Sequence, residues 1–239
     1  MQIVMSIGVL LLAYLIGSVS FGWLIVKLKT GKDIRAIESG RTGGTNAMRA
    51  AGFWAGLLTA LMDILKGVLA VWVAKVLLPE IHLIHVLAPV AAIIGHNYSI
   101  FVPERNEQGR IVRLGGGAGG APAVGGAIGL WGPSIFIIFP LGALVFFTVG
   151  IASITTMSVA FFTTILFAVR AWLGLMPWID VAYGILAEVL LIWALRPNLQ
   201  KLFSGKERIV KQSLYGWIKS KRNPQQPNHK KTTQTDSQA

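Results

Sequence analysis

Residues 3–26 run without a single charged side chain. A helix of that length, at about 1.5 Å per residue, is long enough to cross the roughly 30 Å hydrocarbon core of a bilayer. Comparable apolar runs follow at about 51–78, 81–101, 134–150, 158–175 and 178–195, and a shorter one passes through a glycine-rich stretch to Trp131. The rest of the chain cannot hide them from water. Hydrophobic residues make up 54% and charged residues 13%, against roughly 25% charged in an average soluble domain. The sequence therefore predicts an all-α polytopic membrane protein with about seven transmembrane helices. Residues 1–217 are expected to form one integral membrane domain, and 218–239 a basic, disordered tail. Cysteine is absent, which excludes disulfides, thiolate metal sites and a cysteine nucleophile.

Charge sets the expected orientation. Twenty-two Lys and Arg against ten Asp and Glu give a net charge of +12. Loops 27–50 and 102–114 and the tail from Arg196 carry almost all of the cations. The intervening loops near 79–82, 132–134 and 176–178 carry none. Retention of Lys and Arg on the cytoplasmic side then places the amino terminus outside and the carboxyl terminus in the cytoplasm. That explanation is preferred to nucleic-acid binding, because no basic helix with a DNA-binding motif is present.

The loop Ser39-Gly40-Arg41-Thr42-Gly43-Gly44-Thr45-Asn46-Ala47-Met48-Arg49 suits an oxyanion. Glycines let backbone N–H groups converge on a phosphate, and Arg offers a planar fork of donors. Thr45-Asn46 also fits a helix cap, so the same residues read as a connector ending in a cap. Asp63 and Lys66 lie three apart within an apolar run; they either pair with each other or face a cavity. His96-Asn97 either hydrogen-bonds a substrate or satisfies backbone carbonyls. The glycine run from Gly115 to Gly129 either approaches phosphate or packs helices closely. No cluster of metal ligands is visible, so neither a cofactor nor a metal is expected.

Taken together, Gly17-Ser18, Phe21-Gly22, Asp33-Ile34-Arg35, the 39–49 loop, Asp63-Ile64-Leu65-Lys66-Gly67 and Gly95-His96-Asn97-Tyr98 resemble the bacterial membrane glycerol-3-phosphate acyltransferases that use acyl phosphate, the PlsY family. The resemblance covers residues 17–207. It implies acyl phosphate and glycerol 3-phosphate as partners in the bacterial inner membrane, with lysophosphatidic acid as product. It implies catalytic roles for Ser39, Arg49, His96 and Asn97. Substrate binding would fall to Gly40, Gly43, Thr45, Asn46, Lys66, Gly116, Gly117, Gly119, Asn198 and Glu207. Four positions depart from the family pattern: Gly115 and Ala118 stand for lysines, Leu195 for a histidine and Ser20 for a proline. Arg110 and Arg113 are the candidates to restore the missing charge. The alternatives are a non-catalytic relative that binds an anionic ligand, or an acyl-phosphate transferase with another acceptor.

Overall fold

A computed structural model describes residues 1–207, 209 and 213–222. Helix α1 (Gln2–Ser18) is followed after a two-residue break by α2 (Phe21–Thr30). A 3-10 turn at Ile34–Ala36 leads to the short α3 (Gly44–Ala51), then α4 (Phe53–Leu77) and α5 (His82–Asn97). Strands β1 (Pro103–Arg105) and β2 (Ile111–Leu114) pair antiparallel as a hairpin. Five helices complete the described chain: α6 (Gly120–Leu130), α7 (Ile135–Val149), α8 (Ala152–Trp172), α9 (Ile179–Phe203) and α10 (Leu214–Arg222).

Four segments are long and apolar enough to cross a membrane: Gln2–Thr30, Phe53–Leu77, Gly132–Val149 and Ala152–Trp172. Apolar α5 and α6 are shorter. The outer faces of α4 and α7 stay apolar, with Trp54, Leu65, Trp72, Phe136 and Phe147 all exposed, as lipid-facing helices require.

Small residues let the helices meet at backbone distance. A Cβ at Gly125 would collide with the Ile64 carbonyl of α4, and one at Gly67 would lie 2.9 Å from the Gly126 nitrogen of α6. In lipid, where apolar burial drives little, such close contact is what holds helices together. The second half of the glycine run thus packs helices. Three apolar cores fill the remainder, one around Phe167, Tyr183 and Leu191, one around Ala13, Ala88 and Ala92, and a small one of Val26, Ile34 and Ala47.

Several expectations need correction. The first apolar run is broken at Val19–Ser20 without a proline, and the freed carbonyls find partners: Ser99 Oγ donates to Ser18 O at 2.5 Å and Lys66 Nζ to Val19 O at 3.0 Å. Thr45 and Asn46 do not cap a helix. They lie in the first turn of α3, whose cap is Gly43, and α3 is separate from α4. The polar stretch 102–114 is a β-hairpin turned by Asn106, whose Oδ1 accepts from the N–H groups of Gln108 and Arg110. Of the expected tail 218–239, residues 218–222 close α10, and the rest lies outside the described residues.

Candidate active site

One end of the bundle holds a cavity of about 480 Å3. Three helices begin at its wall: α3 at Gly44 and Thr45, α6 at Gly120 and Ala121, and α8 at Ala152 and Ser153. None of the three has a side-chain cap. The first N–H groups of a helix have no intrahelical acceptor, and each helix start carries roughly half a positive charge. Gly119 permits one of these approaches, because its φ of 87° turns the chain sharply into α6. Four cations join them on the wall: Arg41, Arg49, Lys201 and Lys206. Among the carboxylates there, Asp63 pairs with Lys66 at 2.8 Å. Glu207 Oε1 accepts from Asn198 Nδ2 at 2.9 Å and from Ser153 Oγ at 3.3 Å. Donors and positive charge so concentrated suit an anionic oxygen.

The sequence-predicted residues divide between this cavity and a neighbour of about 550 Å3. Gly43, Thr45, Asn46, Arg49, His96, Gly119 and Glu207 line the first. Gly40, Asn97, Gly116 and Gly117 line the second. Ser39 and Asn198 face both. Arg41 also lines both, and its Nη2 donates to Ala194 O at 2.6 Å. Burial, and the nearby charge of Arg113, lower the Arg41 pKa from its usual value. Its Nη1 is buried without a hydrogen-bond partner. The Asn97 amide is likewise buried, and neither its nitrogen nor its oxygen is bonded.

Lys66 lines neither cavity. It sits inside the bundle, between Asp63 Oδ1 at 2.8 Å, Val19 O at 3.0 Å and His96 Nδ1 at 2.7 Å. Both sequence readings of the Asp63–Lys66 pair therefore meet in one place: the ion pair exists, and it supports a cavity residue. Asn46 reaches the cavity but spends its amide on the loop, donating to Arg41 O at 2.8 Å and Ile37 O at 3.0 Å. The Asp33–Arg35 pair fastens the same loop to the hairpin through Arg35 Nη1 and Pro103 O, at 2.8 Å.

Neither arginine expected to replace a lysine at Ala118 reaches the first cavity. Arg113 is held by Glu104 at 2.7 and 3.1 Å and faces the second, and Arg110 closes the hairpin turn. The cations on the wall that holds Ala118 and Leu195 are Arg41, Arg49, Lys201 and Lys206. Sequence reasoning passed over Arg41, Ser153, Thr156 and Lys206 as site residues. Arg41 stood in the oxyanion loop and was legible. Nothing in the sequence brings the start of α8 to this wall.

The sequence profile of the family described as glycerol-3-phosphate acyltransferase matches residues 7–205. A glycerol-3-phosphate acyltransferase of Halalkalibacterium halodurans is 35% identical over 210 residues, 85% of this chain and 95% of that one. One from Pseudomonas putida is 33% identical over 198 residues, 83% of this chain and 96% of that one. A crystal structure of PlsY, an integral membrane glycerol 3-phosphate acyltransferase in its glycerol 3-phosphate form, superposes with a TM-score of 0.74 at 26% identity, covering 86% of this chain and 95% of that one. A cation-lined cavity at one end of an apolar helical bundle thus coincides with family likeness along most of the chain, and the chain belongs to the glycerol-3-phosphate acyltransferase family.

Proposed function

We propose that the protein transfers a fatty acyl group from acyl phosphate to the 1-hydroxyl of glycerol 3-phosphate, giving lysophosphatidic acid and inorganic phosphate at the cytoplasmic face of the bacterial inner membrane. One observation carries the reading: three uncapped helix starts and four cations meet on one cavity. A reaction with two phosphate-bearing substrates needs that concentration of positive charge. The cavity also lies at the end of the bundle that holds the basic loops, which supports seven crossings with the amino terminus outside.

Acyl phosphate is already activated. The acceptor oxygen attacks the carbonyl carbon, the bond from that carbon to the phosphate oxygen breaks, and phosphate leaves with the electron pair. The hydroxyl proton passes to a phosphate oxygen of the acceptor itself. The protein's part is to align two anions and stabilise the charge that develops between them. Arg49, Arg41, Lys201 and Lys206 supply positive charge. The backbone at Gly43, Thr45 and Gly119 supplies N–H donors. Ser39 and His96 orient the reacting oxygens, and Glu207 holds Asn198 in place. Asn97, with Gly40, Gly116 and Gly117 beside it, offers its unbonded amide to a phosphate oxygen entering from the neighbouring cavity.

The test is phosphate release from palmitoyl phosphate by the purified protein in lipid, with and without glycerol 3-phosphate. Acceptor-dependent release is expected, and Arg49→Ala should abolish it. Release that ignores the acceptor would replace the reading with a hydrolase or a different acceptor alcohol. No release, beside an active relative, would make the chain a binding protein.

A further inference from the structure

His96 is the one imidazole on the wall of the first cavity among the described residues, and its neighbours fix which ring nitrogen carries the proton. A lysine ammonium has three N–H donors and no acceptor. Around Lys66 Nζ lie three acceptors: the Asp63 carboxylate at 2.8 Å, Val19 O at 3.0 Å and His96 Nδ1 at 2.7 Å. Asp63 Oδ1 pairs with the ammonium and also lies 3.6 Å from His96 Nδ1, beyond hydrogen-bond distance. Val19 O is available because the chain breaks between α1 and α2. The third donor therefore meets Nδ1. A proton on Nδ1 would face an ammonium hydrogen, so the neutral ring places its proton on Nε2.

The Nε2 edge is turned toward the glycine run. Gly117 lies directly before it, and a side chain there would collide with Nε2. Gly117 N–H is itself occupied, donating to His96 O at 2.9 Å, so it pins the loop that passes before the ring and is not a partner for Nε2. We propose that Lys66, anchored by Asp63 and Val19 O, locks His96 as the Nε2–H tautomer, making His96 a hydrogen-bond donor to the reacting oxygen rather than the base that removes the hydroxyl proton. His96 is then a catalytic residue, and Lys66 and Asp63 are positioning residues. The identity of that oxygen, the acyl carbonyl oxygen as it gains negative charge, rests on the acyl-transfer reading; the tautomer does not.

Two measurements test this. In the first, nitrogen-15 NMR of histidine-labelled protein reads the protonation of each ring nitrogen without any turnover. The His96 signals are assigned by their loss in His96→Gln, or by elimination with His82→Gln, His85→Gln and His229→Gln if that variant does not fold. Protonated Nε2 with bare Nδ1 is expected. The opposite tautomer, or an imidazolium at neutral pH, overturns the proposal. Removing both buried charges together, in Asp63→Asn/Lys66→Met, should release the ring to a mixture of tautomers, whereas an unchanged spectrum would show that Lys66 does not set it.

The second measurement compares His96→Ala with His96→Gln, whose amide N–H sits near the position of Nε2. Loss of one donor to a developing oxyanion lowers kcat by about 10²–10³. The Ala variant should show that loss, and Gln should recover at least tenfold of it with the acid limb of the pH–rate profile unchanged. Equal loss in both variants would make His96 the base. If the wild-type protein shows no turnover, the acyl-transfer reading falls, and the NMR result still decides the tautomer.

Discussion

Lys206→Ala should raise the KM for glycerol 3-phosphate about tenfold and leave kcat nearly unchanged. The backbone is fixed on both sides of Lys206. The turn that ends α9 is closed by Gly205 N–H to Leu202 O at 3.0 Å and by Lys206 N–H to Lys201 O at 2.7 Å. On the other side, Asn198 and Ser153 hold Glu207. Lys206 therefore projects onto the wall that also carries uncharged Ala118. A hydrogen bond from a cation to phosphate is worth about 1.5–3 kcal/mol. Lys206 is exposed, so water competes for its charge and the lower end applies. About 1.5 kcal/mol is close to one decade at about 1.36 kcal/mol per factor of ten. An interaction made equally in the ground and transition states appears in KM alone. The assay is phosphate release in proteoliposomes with glycerol 3-phosphate titrated at saturating palmitoyl phosphate. Adding Ala118→Lys to the variant restores a cation on the same wall and should recover most of the loss. A KM within twofold of wild type for Lys206→Ala would refute the reasoning, and so would a loss that Ala118→Lys leaves untouched.

Other outcomes follow from the packing and the loop. Gly125→Ala forces a methyl group onto the Ile64 carbonyl and should cost about 1–3 kcal/mol through overpacking, read as a lower unfolding temperature in detergent; an unchanged temperature would mean that α4 and α6 separate freely. Arg35 beside Asp33 holds that carboxyl down at about 2. A depressed carboxyl stabilises the fold above its unfolded value, near 3.9, and the contribution disappears as pH falls toward 2. Asp33→Asn should therefore be less stable than wild type at neutral pH, by less than about 1 kcal/mol for so exposed a pair, and equal to it near pH 2. A constant difference across that window would assign the effect to the Asp33 cap on Arg35 N–H instead. EDTA should leave phosphate release unaltered, and inhibition reversed by added metal would require a cation in the mechanism.

The helical layout was readable because a bilayer leaves few options: an uncharged run of sufficient length must pair its own backbone, and a helix does so. The oxyanion loop was readable for a similar reason, since glycine and arginine at that density have few other uses. What escaped was set by partners distant in sequence. Nothing near Val19 or Ser20 demands a break; the helix opens there because Lys66 and Ser99 donate to the freed carbonyls. The glycine run offered two readings, and the fold uses both. Gly116, Gly117 and Gly119 pass over the end of α5 and line the cavities, while Gly125 and Gly126 pack against α4 and Tyr183. Composition cannot mark that division, because the same small residue serves both purposes. The hairpin at 103–114 did carry a local signal, in the Asn106 and Gly109 turn, which a reading tuned to long apolar runs passes over.

Two buried charges in an apolar helix need an explanation that packing does not supply. Placing Asp63 and Lys66 in hydrocarbon carries a desolvation penalty of several kcal/mol per ion, and a well-packed apolar pair in their place is often as stable or more so. The pair is therefore weak as a device for stability alone. Its geometry serves something else. Lys66 draws a carbonyl from the broken α1–α2 segment and a ring nitrogen from the end of α5, and so joins three separate helices at one nitrogen atom. An apolar substitute would fill the volume but give His96 no preferred tautomer and Val19 O no donor. The broken helix, the intramembrane ion pair and the bare glycine before Nε2 are then one arrangement, in which stability is given up inside the membrane to orient a single N–H at its surface.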